Sequence, residues 1–304
     1  MISICDVGPR DGLQMLDRPF SVAEKIHIIT ALAGAGLRHI EAVSMVNPAR
    51  VPQMAGAEEV LAGLPALPGL RLSALILNRR GAERALATRV QELRYAVVAS
   101  DRFSQRNQNM TTEQGLRDFA ATADLVARDG RDCVAVIATA YGCPFEGEIA
   151  PERVAEITRR VVGAGARQVI YADTIGVAVP ADIVRLHAAC APHLDGLPWG
   201  VHLHNTRNTG YANLIAAVDL GATVIDASIG GLGGCPFAPR ATGNIATEDV
   251  NYLLSRQGLM PPLDRDRLAE LVDWLAARLP DKITGQLARA GWFGGEADDR
   301  RASA

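Results

Sequence analysis

Short β-rich runs alternate with longer segments of helical periodicity from Ser3 almost to the end of the chain. That alternation limits the fold more than any other feature, because strand then helix, repeated, builds parallel strands joined by crossover helices. The pattern predicts strands at Ser3 to Val7, His39 to Ser44, Arg71 to Ile76, Glu92 to Ala99, Asp132 to Thr139, Gln168 to Asp173, Gly200 to His204 and Val224 to Ile229. Ser21-Val22-Ala23-Glu24 reads as a capping box opening a helix that Gly36 stops. Further stops fall at Gly130, Gly163 and Gly221, while Pro151 and Pro180 stand near helix starts, where a missing amide hydrogen costs little.

Eight such units in 304 residues, with no Pro/Ser-rich linker between them, predict a closed (β/α)8 TIM barrel rather than two doubly wound sheets. No GxGxxG follows a strand, so a dinucleotide-binding half is not expected. Leu268 to Leu279 reads as an additional C-terminal helix. Residues 1–293 are accordingly read as one catalytic domain, with 294–304 as a flexible tail.

Hydrophobic residues make up 48% of the chain and charged ones 21%, enough apolar surface for a large core. A net charge of -3 gives no global attraction to nucleic acid or anionic membrane, and neither is expected as a partner. Arg79-Arg80 and Arg159-Arg160 lie in helical contexts and read as solvated faces. Cys5, Cys133, Cys143, Cys190 and Cys235 are odd in number and never spaced CxxC, which suits a reducing cytoplasm. No apolar run reaches the roughly 18 residues of a membrane span.

In a barrel of this type chemistry sits at the carboxyl ends of the strands. Strand one leads there into Gly8-Pro9-Arg10-Asp11-Gly12, strand two carries Glu41, strand six ends in Asp173, and strand seven ends in His202-Leu203-His204. Residues two apart on a strand share a face, so His202 and His204 point together into the mouth, as a divalent metal requires. Asp11 and the amide oxygen of Asn244 are candidate hard ligands, a mixture suited to Mg²⁺ or Mn²⁺; each reads equally well as a local cap. Arg10 is placed either to stabilise an oxyanion or to pair with a carboxylate such as Glu41 or Asp173.

The stretch Gly230-Gly231-Leu232-Gly233-Gly234-Cys235-Pro236 surrounds one thiol with four glycines. It reads as a loop that moves over the mouth, an unusual place for a core-filling cysteine.

Taken together, Asp6-Val7-Gly8-Pro9-Arg10-Asp11-Gly12-Leu13-Gln14, Ile40-Glu41-Ala42, Val51-Pro52-Gln53-Met54, Gly142-Cys143-Pro144-Phe145-Glu146-Gly147, Asp173-Thr174-Ile175-Gly176, His202-Leu203-His204 and the glycine loop through Asn244 resemble the 3-hydroxy-3-methylglutaryl-CoA lyase family of DRE-TIM metallolyases. The resemblance implies metal-assisted cleavage of a 3-hydroxyacyl-CoA to acetyl-CoA and a keto acid such as acetoacetate, a role in leucine catabolism, and a homodimer. It implies Asp11, His202, His204 and Asn244 as metal ligands, Arg10 as the cation for the enolate, Cys235 as the loop thiol in proton transfer, and Glu41 and Asp173 as acidic groups of the mouth. Gln14, Ser100, Asn107, Asn109 and Arg240 become candidate substrate contacts, Ser100 to Asn109 matching a Ser-x-x-Phe-x-x-x-Asn-x-Asn stretch of that family.

The chain departs from the pattern at Met15-Leu16-Asp17, where the family usually has Asn-Glu-Lys, at Asn47-Pro48-Ala49-Arg50 in place of Ser-Pro-Lys-Trp, at Asn205 in place of Asp, and at Arg240 in place of Gly. These changes raise the expectation of a divergent acyl group. Two other readings stay open: a Claisen-type synthase joining acetyl-CoA to a 2-oxo acid, and a non-catalytic acyl-CoA-binding paralogue.

Overall fold

The eight runs close into a barrel in a computed structural model that describes residues 2–234 and 242–293. The strands are β1 Ser3–Asp6, β2 His39–Ser44, β3 Arg71–Ile76, β4 Glu92–Val98, β5 Asp132–Ala138, β6 Gln168–Asp173, β7 Trp199–Leu203 and β8 Val224–Ala227. All pair in parallel with their sequence neighbours, and β8 returns to β1, the order that successive right-handed crossovers produce. Most predicted boundaries agree within one or two residues. The shift in β7 has a physical cause: His204 leaves the parallel ladder to form an antiparallel bridge with Asn244.

The helices are α1 Val22–Gly34, α2 Ala57–Gly63, α3 Arg79–Leu86, α4 Asp101–Gln108, α5 Thr112–Arg128, α6 Pro151–Gly163, α7 Pro180–Cys190, α8 Gly210–Asp219, α9 Thr247–Arg256, α10 Arg265–Ala276 and α11 Leu287–Ala290. The capping box of α1 is present, with Ser21 Oγ accepting from Glu24 N and Glu24 Oε2 from Ser21 N. Pro151 and Pro180 occupy the first turns of α6 and α7, where the helix has no use for their missing N–H. Helix α10 starts three residues before the predicted position because the Asp264 carboxylate caps the amides of Asp266 and Arg267. It lies against α1 with Leu268, Leu271 and Leu275 buried and the Trp274 ring 4.7 Å from His27.

Two features are additional to the eightfold alternation. Helix α4 precedes α5 between β4 and β5, and a short antiparallel hairpin, Gly142–Cys143 with Gly147–Glu148, follows β5. Arg102 fastens them together: its amide donates to Glu146 Oε1 and its guanidinium to Phe145 O. No helix among the described residues is long and apolar enough to cross a membrane. The predicted tail, 294–304, lies outside the described residues.

The barrel wall leaves one strand no room for a side chain. Gly200 in β7 pairs with Val224 in β8, and a Cβ there would lie 2.1 Å from Val224 O and 2.8 Å from Ile170 Cδ1. The backbone oxygen cannot rotate away, so even a methyl group must push β7 and β8 away from each other. Gly200→Ala is therefore expected to lower stability by at least about 1–3 kcal/mol. A urea midpoint equal to that of the parent protein would show that the wall opens freely.

Candidate metal centre at the carboxyl end of the barrel

Arg10 and Asp11 stand on a wide turn after β1, in which the amides of Arg10, Asp11 and Gly12 converge on Val7 O at 3.2, 2.7 and 3.2 Å. The base of this turn is tied down by Asp6, whose carboxyl accepts from Gly8 N at 2.8 Å and from Thr247 Oγ1 at 2.6 Å. Burial raises the Asp6 pKa to about 7, against those two hydrogen bonds.

Asp11 meets the two histidines across the mouth. His202 Nε2 and His204 Nε2 lie 3.2 Å apart, and Asp11 Oδ2 is 3.9 Å from the first and 4.0 Å from the second. One donor atom from each residue falls within 4.8 Å of the others, a spacing suited to a shared cation. Asn244 completes the wall, donating from Nδ2 to Asp11 Oδ2 at 2.8 Å and to Leu232 O at 2.9 Å. Its Oδ1 is buried without a partner among the described residues.

Burial works to raise the Asp11 pKa, but Arg10, His202, His204 and the Asn244 amide outweigh it and bring it to about 2. For His204, burial and then the neighbouring His202 lower the pKa to about 4, with Asp11 opposing. At neutral pH the site therefore presents an anionic carboxylate and a neutral imidazole, both with free lone pairs. With a second imidazole and an unpaired amide oxygen alongside, these residues fit a divalent cation. The four sequence-predicted ligands are thus brought together.

Arg10 spans the cluster and Glu41, which lies in β2 and is fully buried. Its Nη1 is 2.5 Å from Asp11 Oδ1, while Nε and Nη2 donate to Glu41 Oε2 at 2.9 and 2.6 Å. The paired-cation reading of Arg10 is thus observed, and its partner is Glu41 rather than Asp173. Asp173 instead accepts from Val177 N and Ala178 N at 3.0 and 2.9 Å, shaping the turn after β6. Among the described residues, no hydrogen bond joins it to Asp11, His202 or His204.

Ser100 is buried at the start of α4, where its hydroxyl accepts from Phe103 N and lies 2.9 Å from Cys143 Sγ. Gln14 is partly buried, and its Oε1 is buried without a partner among the described residues. Asn107 and Asn109 are near the end of α4, toward solvent. Cys235 and Arg240 lie outside the described residues.

A buried layer beneath these groups was not anticipated from sequence. Arg94 in β4 donates from Nη2 to both oxygens of Asp226 at 2.8 Å and from Nη1 to Cys5 Sγ at 3.4 Å. It also stands 3.8 Å from Glu41 Oε2 and from Glu92 Oε1. Asp226 Oδ2 in turn lies 3.1 Å from His202 Nδ1. A signal was available: Glu92 and Arg94 are two apart in one strand, and Asp226 interrupts an apolar one, so three charges were bound to enter a buried layer.

The glycine-rich segment is fastened at its start by Glu248 in α9, whose Oε2 accepts from Gly230 N at 3.0 Å. Burial raises the Glu248 pKa to about 8, with the Asp249 and Asp6 charges adding to the effect.

Comparison with known proteins agrees with this geometry. The model of the HMGL-like family matches residues 1–275. The (R)-citramalyl-CoA lyase of Chloroflexus aurantiacus is 41% identical over 303 residues, with 95% of each chain covered. The hydroxymethylglutaryl-CoA lyase of Pseudomonas mevalonii is 39% identical over 296 residues, again with 95% of each covered. A solved structure of an HMG-CoA lyase from Acinetobacter baumannii, in complex with coenzyme A and 3-methylmalate, superposes with a TM-score of 0.91 at 34% identity. That match covers 98% of this chain and 97% of the other.

The Glu248 proton gives a pH signature with a definite sign. Its carboxyl would ordinarily titrate at 4.5 and keeps its proton in the folded protein up to about 8. The folded state binds the extra proton, so this contribution to stability is complete below the unfolded pKa and is lost as pH rises through the folded one. Glu248→Gln cannot titrate and keeps an acceptor for Gly230 N. Its denaturation midpoint is expected to fall less than that of the parent between pH 5 and 8; parallel curves would refute the assignment.

Proposed function

The chain belongs to the HMGL-like family and is a carbon–carbon lyase, and from that premise we propose that it cleaves a 3-hydroxyacyl-CoA to acetyl-CoA and a keto acid. The observation that carries this reading is the joining of two unlike functions in one mouth. Asp11 belongs to the cluster with His202 and His204, and the same carboxylate is in contact with Arg10.

A divalent cation, Mg²⁺ or Mn²⁺, when bound by Asp11, His202, His204 and Asn244, supplies Lewis-acid chemistry that acidifies a substrate hydroxyl and polarises the carbonyl replacing it. The rest falls to the chain's own groups. The hydroxyl at C3 gives its proton to water in the mouth, the C2–C3 bond breaks, and its electron pair moves onto C2 and the thioester oxygen. Arg10 is the permanent cation beside that developing enolate. Glu41 accepts two of its N–H donors and so fixes the plane of the guanidinium before charge appears, which is where preorganised electrostatics gains most.

C2 must then be protonated to give the acetyl group. Cys235, one residue beyond Gly234, is our candidate donor, its thiolate regaining the proton from solvent. The acyl group is 3-hydroxy-3-methylglutaryl or a relative of it; the 41%-identical citramalyl-CoA lyase supports a substrate outside the parent compound. Met15, exposed and beside Gly234, puts an apolar side chain next to the residue that precedes Cys235.

Product analysis by mass spectrometry, with 3-hydroxy-3-methylglutaryl-CoA, (R)-citramalyl-CoA and other 3-hydroxyacyl-CoAs in the presence of Mg²⁺ or Mn²⁺, tests the reading. Acetyl-CoA and one keto acid are expected. Free CoA released from acetyl-CoA and a 2-oxo acid would overturn it in favour of condensation.

Arg10→Gln is expected to lower kcat by about 10²–10³. Asp11→Ala should abolish Mn²⁺ binding in a metal titration. Full turnover by either variant would remove that residue from the mechanism.

A further inference from the structure

His202 and His204 are treated differently by their surroundings. Among the described residues His204 Nδ1 is buried with no partner, whereas His202 Nδ1 lies 3.1 Å from Asp226 Oδ2. Both Asp226 oxygens already accept from Arg94 Nη2, so the carboxylate has only acceptor capacity to offer the imidazole. The proton of His202 then belongs on Nδ1, and Nε2 keeps the lone pair. Nε2 is the atom facing His204 and Asp11.

The sheet itself sets this contact, because Asp226 stands directly opposite His202 in the β7–β8 ladder. Arg94 reaches further. At 3.8 Å it approaches Glu41 Oε2, the same oxygen that accepts from Arg10 Nε and Nη2. One fully buried guanidinium thus stands against the carboxylate behind His202 and the carboxylate behind Arg10.

We propose that Arg94 and Asp226 are positioning residues that hold His202 in the metal-accepting tautomer and tie its orientation to that of Arg10. The proposal rests on the metal reading of the Asp11–His202–His204 cluster. It adds that the ligand set is prepared from below, by a pair that touches neither metal nor substrate, and that His204 has no such support among the described residues.

The test separates charge removal from loss of the acceptor. In Arg94→Met/Asp226→Leu both charges go together and neither is stranded, which favours folding, but His202 loses its acceptor. Arg94→Met/Asp226→Asn restores an acceptor oxygen at the same place. With Mn²⁺ as the probe, the Leu variant is expected to bind at least about tenfold more weakly than the parent, and the Asn variant to recover much of that loss. Parent-like affinity in the Leu variant, or equal loss in both, overturns the proposal.

A second measurement needs no variant. ¹⁵N NMR of the metal-free parent should find His202 protonated at Nδ1, and protonation at Nε2 overturns the proposal whatever the variants do. A parent protein that fails to bind Mn²⁺ would instead refute the metal reading, leaving the tautomer result to judge the pair.

Discussion

A guanidinium without water must be matched on the spot, and the centre of this barrel is arranged around that demand. Arg94 is 1% exposed, and Asp226, Glu41 and Glu92 all lie within 4 Å of it. Desolvating such a group costs several kcal/mol, which neighbouring charges offset only when the geometry is good. Each of those carboxylates comes from a different strand, β8, β2 and β4. Strand register, closure and the charge pattern are therefore one constraint: a slip of one residue would send every charge of a strand to its opposite face.

The catalytic mouth inherits its order from this layer. Asp226 touches His202 and Glu41 grips Arg10, so both are seated on groups that are already immobile. Above them the support is backbone. Three amides on Val7 O present Arg10 and Asp11, and a bridge between His204 and Asn244 brings Asn244 beside the others. The mouth is thus built on strand ends and tight turns rather than on long loops, which suits a site that must present several donors at fixed spacing.

How much of this was legible in the sequence depended on periodicity. Eight strands were visible because the alternation is clean, and His202 with His204 were visible because strand spacing puts them on one face. Asp11 and Asn244 were legible as candidate ligands but on equal terms with local caps until the resemblance favoured them, since an acid in a turn and an asparagine after a glycine have ordinary local uses. Arg94 and Asp226 were passed over because a charge in a strand looks anomalous until the partners are seen, and those partners are 132 residues apart. The assignment of Asp173 to the acidic mouth met a local competitor: two backbone amides of its own turn take its oxygens. Helix α4 and the hairpin after β5 were missed because neither has the length that periodicity needs to declare itself.

The proposed metal ligands also lie along the seam of the barrel. Asp11 follows the first strand, His202 is on the seventh, and Asn244 lies beyond the eighth, which pairs back to the first. Arg10 and Asp11 precede His202, His204 and Asn244 by most of the barrel's length, so the two sides of the mouth are synthesised far apart in time. Incomplete translation products therefore carry half of the chemistry and none of the site. The proposed metal site is complete only where the first and eighth strands pair, so closing the ring and assembling the site require the same strands.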